Sequence, residues 1–215
     1  MGGAGVTGLV YTAVVGGFEP PRKIAKQEEG IDFIRFTDAI PGSMMNDLED
    51  RTPRAVARAI KVLTPVILPD YDWYLWLDGS MEVRAKLDGL IEKLLESKHD
   101  MAAFKHNERN CAYAEIRECI GLDKDRKKNL DDACKLLQKE KLPKNFGLPA
   151  TGVLWRRGCD EVRKHALDWW SMMERSTLRD QCTFMLPLWT TKTYIEWIPG
   201  SHLKNMWFKY HLGHK

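Results

Sequence analysis

The sequence predicts an α/β fold, with a Rossmann-like, mostly parallel central sheet flanked by helices. Three observations predict it. Trp73-Tyr74-Leu75-Trp76-Leu77 is an unbroken apolar and aromatic run closed by Asp78-Gly79, which suits a central strand covered on both faces. Gly8 to Val15 is a β-branched run ending in Gly16-Gly17, which reads as the first strand of a nucleotide-binding half. Stretches with helical periodicity separate these and later strand-like runs.

The 215 residues suffice for one sizeable domain or two small ones. No repeat, low-complexity segment or linker interrupts them, so one domain over 1–215 is expected, either complete or part of a longer polypeptide. A formal charge of +3 implies no nucleic-acid partner. The eight Trp suit either sugar stacking or core packing. Five Cys, an odd number with no Cys-x-x-Cys, read as reduced thiols in a cytoplasmic protein (the host cytoplasm if the chain is viral). No signal peptide or apolar run of spanning length is visible, so no membrane insertion is expected.

In order, Gly8 to Val15 forms the first strand. Because it opens no Gly-x-Gly-x-x-Gly, a dinucleotide oxidoreductase is disfavoured. Arg22 to Glu29 suits a short helix. Ile31 to Thr37 alternates as a strand and leads into Asp38, which is either a carboxylate at a strand tip or a turn residue before Pro41-Gly42. Asp50 to Leu63 reads as a helix with Thr52 as N-cap, Pro53 at its first position and Pro65 closing the segment. Arg51, Arg54, Arg58 and Lys61 fall on one face of it. Such a stripe either holds a diphosphate or is a solvated cationic face.

Asp78 then stands just beyond the strand's carboxyl end, where open α/β sheets place ligands. It also suits a turn with Gly79 that caps a helix starting near Met81. Glu82 to Ser97 has an apolar face at Leu87, Leu90, Ile91, Leu94 and Leu95, so a helix is expected. Asp100 to Lys105 suits a strand, and Lys105 to Asn110 a charged loop or an acceptor contact. Ala112 to Glu118 and Asp123 to Lys139 suit helices. Gly147 to Arg157 is a loop feeding a strand, and Glu161 to Arg175 a helix with Val162, Ala166, Trp169, Trp170 and Met173 inward. Cys182 to Leu188 reads as an apolar turn and Thr193 to Ile198 as a last strand.

The ordered motifs resemble glycosyltransferases of the GT-A fold over nearly the length of a catalytic domain. The matching pieces are Tyr11-Thr12-Ala13-Val14, Phe36-Thr37-Asp38, the helix with Arg54 and Arg58, Leu77-Asp78-Gly79-Ser80, Ala150-Thr151-Gly152-Val153, Asp180-Gln181, and His211-Leu212-Gly213-His214-Lys215. Phe104-Lys105-His106 with Arg109, Cys111, Tyr113 and Glu115 is similar to a plant and bacterial glycosyltransferase-like group. Within it the look is that of the large-virus enzymes that build capsid glycans in algal hosts.

The resemblance implies transfer of a hexose or deoxyhexose from a UDP-sugar donor to a glycan acceptor. It places Thr12, Ala13, Val14, Asp38, Arg54, Arg58, Asp78, Gly79, Thr151 and Gly152 along the nucleotide sugar. Asp180 falls near the reaction centre, as the base of an inverting enzyme or the sugar-orienting group of a retaining one; Glu108 and Glu115 are further candidates for the base. It also implies Mn²⁺ or Mg²⁺ at Asp78, Ser80 and His211, with His202 as an alternative to His211. The chain departs from the family's Asp-x-Asp, because Ser80 stands where the second Asp belongs. That departure motivates a second reading, a nucleotide- or glycan-binding module without turnover. A third is a glycoside hydrolase pairing Asp78 with Asp180.

Overall fold

A computed structural model describes residues 6–17, 20–37 and 52–212. Asp38, Arg51, His214 and Lys215 lie outside them. The elements run β1 (Gly8–Ala13), β2 (Ile31–Phe36), α1 (Pro53–Ile67), β3 (Trp73–Leu77), β4 (Met81–Val83), α2 (Asp88–Glu96), β5 (Met101–Lys105), α3 (Ala112–Gly121) and α4 (Lys127–Lys139). They continue with β6 (Pro149–Arg157), α5 (Asp160–Glu174), a 3₁₀ turn (Asp180–Cys182), α6 (Met185–Thr191), β7 (Glu196–Ile198) and β8 (Phe208–Tyr210).

The main sheet has the order β2-β1-β3-β6-β5-β7. β6 is antiparallel to both its neighbours, and the other pairs are parallel. One reversed strand has a consequence for the site. β1 and β3 end at the edge where β6 begins, so the start of β6 lies beside Asp78, whose N–H donates to Gly152 O at 2.8 Å.

All five residues of β3 are buried, as its unbroken apolar run requires. Tyr74 and Trp76 pack with α1 and α5, whereas Trp73, Leu75 and Leu77 pack with α2. Gly8 lies beside β3, where an added Cβ would fall 1.9 Å from the Trp73 ring. A third apolar cluster joins α3 and α4 to Cys182 and Leu186.

α1 starts where the sequence places it: Thr52 Oγ1 caps Ala55 N–H at 3.3 Å, with Pro53 at the first position. It does not stop at Pro65 but runs through it to Ile67.

Residues 22–29 form no helix. Ile24 bridges Val83, and Gln27 ties the segment to Ala85 O and Leu87 N–H, which holds the chain extended. The helix expected from Glu82 begins only at Asp88, because Met81 and Val83 are buried in β4, paired with β8. Cys182 to Leu188 contains the end of the 3₁₀ turn and the start of α6, and the strand at 196–198 is followed by β8. Among the described residues no helix is long and apolar enough to cross a membrane.

Candidate active site

Asp78 follows β3 at the sheet edge and turns the chain, its C=O accepting from Met81 N–H at 2.8 Å. The turn reading of the sequence therefore holds, though a strand follows it, not a helix. The Asp78 carboxylate is fixed from three sides. Its Oδ1 accepts from the Trp76 indole N–H at 2.7 Å and lies 3.3 Å from Lys61 Nζ and 3.9 Å from an Arg58 nitrogen. Gly152 stands so close that a Cβ there would come within 3.2 Å of Asp78 Oδ2.

Asp180 faces it from the 3₁₀ turn and is buried. Its Oδ2 accepts from Lys61 Nζ at 2.5 Å and Thr151 Oγ1 at 2.7 Å, and its Oδ1 lies 3.5 Å from Arg58. The Trp169 indole of α5 donates to its backbone C=O at 3.1 Å, and Gln181 Nε2 ties the turn to Pro149 O at 2.9 Å. Burial alone would raise the Asp180 pKa. The charges of Arg58 and Lys61, with the bonds from Lys61 and Thr151, outweigh it and hold the carboxyl far below the usual range. Asp180 is thus a firmly ionised anion and a weak base.

Lys61 is fully buried between the two carboxylates. Pro65 explains how α1 holds it there. Proline has no N–H, so the Lys61 C=O four residues earlier lacks its helical partner. Tyr11 O–H donates to that carbonyl at 2.7 Å and Arg156 at 2.6 Å, and Arg156 also donates to Val62 O at 2.9 Å. Arg156 donates to the Tyr11 hydroxyl as well. Burial pushes the Tyr11 phenol up to about 12, so it remains a neutral donor. Two strands therefore pin the backbone of the residue whose side chain joins the carboxylates.

A cavity of about 380 Å³ opens on this cluster, lined by Arg58, Asp78, Ser80, Thr151, Gly152, Arg179 and Asp180, and also by His106, Glu108, His202 and Tyr210. A groove of about 1110 Å³ shares Arg58 and Arg179 with it and reaches Ala13, Val14, Arg54 and Gly79. Thr12 lines a smaller pocket with Val14, Phe33, Arg35 and Gly79. The buried Thr12 hydroxyl has no hydrogen-bond partner among the described residues.

The sequence-derived candidates thus divide. Arg58, Asp78, Ser80, Thr151, Gly152 and Asp180 meet at one cavity, and Thr12, Ala13, Val14 and Gly79 line the spaces beside it. Arg54 is exposed at the groove and donates to Lys124 O at 3.3 Å. Glu115 is buried and bonded by Arg109 Nε at 2.7 Å, so it faces no cavity of the site. Asp38 lies outside the described residues. Lys61 belongs to the stripe seen in the sequence, but its burial and its two carboxylates are visible only in the fold. Arg179 and Trp169 were equally hidden, the first beside Asp180 in sequence, the second within a core stripe.

The metal expectation meets a donor set that does not fit it. The His211 ring is bonded to Glu82 Oε2 at 2.6 Å, and only its backbone N–H reaches the motif, donating to Ser80 O at 2.9 Å. That ring bond holds the Glu82 carboxyl below its ordinary range. No group of three His, Cys, Asp or Glu among the described residues could hold a metal ion. A divalent cation at Asp78 Oδ1 would also stand within a few ångströms of the Lys61 ammonium and the Arg58 guanidinium, and like charges repel strongly at that range.

Residues 44–199 match the family model of the TOD1/MUCI70, glycosyltransferase-like domain. The chain belongs to this family. Curated protein sequences give no match. Among solved structures, the bifunctional glycosyltransferase WbbM is similar at TM-score 0.55 and 10% identity over 90% of this chain and 39% of WbbM. This TOD1/MUCI70-type chain therefore spans about two-fifths of that enzyme's length and shares its fold there. A glycosyltransferase involved in glycosylating the major capsid of PBCV-1 matches at TM-score 0.48 and 12% identity, over 97% of this chain and 94% of that one. Mouse xyloside xylosyltransferase 1 matches at 0.45 and 7%, over 90% and 84%.

Proposed function

We propose that this TOD1/MUCI70-type domain moves a hexose or deoxyhexose from a UDP-sugar to a glycan acceptor. One observation carries the reading: Arg58 and Arg179 line both the cavity at Asp78 and Asp180 and the groove that leads to Ala13 and Val14. In this reading the sugar occupies the cavity, the nucleoside lies toward the β1 end, and the diphosphate crosses the guanidiniums between them. Charge that grows on a departing diphosphate is stabilised by cations already in place.

The bond between sugar C1 and the diphosphate oxygen breaks, and its electron pair stays on the diphosphate. The acceptor hydroxyl oxygen bonds C1. Both Asp180 oxygens are already engaged, Oδ2 by Lys61 and Thr151 and Oδ1 by Arg58, so its role is to orient the sugar and hold Arg58. Glu108, on the cavity wall, largely exposed and bonded among the described residues by Arg109 at 3.0 Å, is the carboxylate that receives the proton. A base separate from the leaving group goes with an inverted product.

The test is a thermal-shift and diphosphate-release screen over UDP-sugars. A bound donor should raise the melting temperature in a concentration-dependent way, and the Glu108→Gln variant should keep binding while losing about 10²-fold or more in transfer. Binding without release for every donor and acceptor would instead favour the non-catalytic module. No binding by any nucleotide sugar would overturn the reading.

A further inference from the structure

We infer that Lys61 stands where the fold would otherwise use a divalent cation, so that the diphosphate binds and departs here without a metal. The inference rests on the glycosyl-transfer reading above. Lys61 Nζ reaches Asp78 at 3.3 Å and Asp180 at 2.5 Å, and no other described residue contacts both carboxylates except Arg58, at 3.9 and 3.5 Å. The ammonium is fully buried and lies 5.5 Å from the centre of the Trp76 ring, so an incoming ion would have to displace a packed cation. The second position of the acidic motif offers the Ser80 hydroxyl in place of a carboxylate, which removes the negative charge a divalent ion would need.

Two carboxylates are thus balanced by two cations before any ligand arrives, and Arg179 adds a third positive group in the lining of both the cavity and the groove. Lys61 is a positioning residue. It holds Asp78 and Asp180 together and leaves the Arg58 and Arg179 guanidiniums to meet phosphate oxygens. As the C1–O bond breaks, its electron pair goes to the diphosphate, whose new charge those guanidiniums balance.

Mn²⁺ titration followed by electron paramagnetic resonance, without nucleotide, tests this directly. The native chain should hold no Mn²⁺ up to about millimolar concentration, the weak end of protein sites for hard divalent cations. Lys61→Met, which keeps the stem and removes the charge, should gain Mn²⁺ binding that Asp78→Asn then abolishes. UDP affinity of the native chain should change by less than about threefold between EDTA and Mn²⁺. Native Mn²⁺ binding that Asp78→Asn removes, or UDP affinity raised tenfold by Mn²⁺, would overturn the inference, as would a folded Lys61→Met chain with no gain. Should that variant not fold, the native titration alone decides. A chain that binds no UDP refutes the transfer reading, while the metal titration still decides this one.

Discussion

α4 and the inner end of α1 both carry lysines facing aspartates, yet they are different kinds of structure. On α4, Lys127 meets Asp131 at 2.6 Å, and Asp132 takes Lys128 at 2.8 Å and Lys135 at 2.9 Å, all on a face open to water. On α1, Lys61 meets Asp180 at a similar distance with its side chain wholly out of water. The attraction between unit charges grows severalfold as the effective dielectric falls from that of water toward that of an interior. Distance alone therefore does not rank the two. The α4 pairs decorate a helix that would form without them, whereas the α1 pair determines whether two acidic side chains can share one small space.

The comparison breaks most sharply at Lys61. Lys61→Ala should lower stability by about 3–5 kcal/mol in urea unfolding, because it strands Asp180 in a buried site. A loss below about 1 kcal/mol would mean that the cluster is as wet as α4. His165 offers a second measure of how dry this half of the molecule is. Burial lowers its pKa from the ordinary 6.5 to about 4, against the bond between its Nε2 and Phe184 O at 3.2 Å. Below pH 6.5 the unfolded chain gains a proton that the folded chain refuses. Stability should therefore fall as pH drops from about 6.5 to about 4, by about 3 kcal/mol in all. His165→Phe should flatten that part of the pH profile, and an unchanged slope would show that the imidazole is hydrated. The smallest effect belongs to α4: Lys128→Ala should leave the melting temperature unchanged within about 1 °C, and a larger drop would erase the contrast.

Much of this arrangement was legible in the chain itself. The run from Trp73 to Leu77 announces a strand buried on both faces, and the Gly turn after it puts Asp78 at the edge where open α/β sheets place their ligands. Thr52-Pro53 marks the start of α1 to the residue. The order of motifs brought Asp180 and Thr151 toward Asp78. What stayed hidden depends on distant partners. A period of 3.6 shows that Arg54, Arg58 and Lys61 share a stripe, but not that the stripe passes from solvent into the core along its length. Met81 and Val83 were absorbed into a helical pattern, because a three-residue strand has too few alternations to compete with a long amphipathic run. The reversal of β6 has no local signature, since a covered strand reads alike in either direction. His211 could be matched to a motif, but its ring found Glu82, a residue whose nearness depends on the pairing of β4 with β8.

Pro65 leaves a vacancy in the α1 ladder that a side chain from β6 and another from β1 occupy, and this links positions that no helix-design rule would connect. An engineer who repaired the helix with Pro65→Ala would restore an amide hydrogen at the spot Arg156 now serves, and the guanidinium would be left with one fewer acceptor in a place without water. The two sites behave as a single edit: changed together they permit a plainer helix over an apolar strand, and changed one at a time they set the repaired ladder against the arginine beneath it.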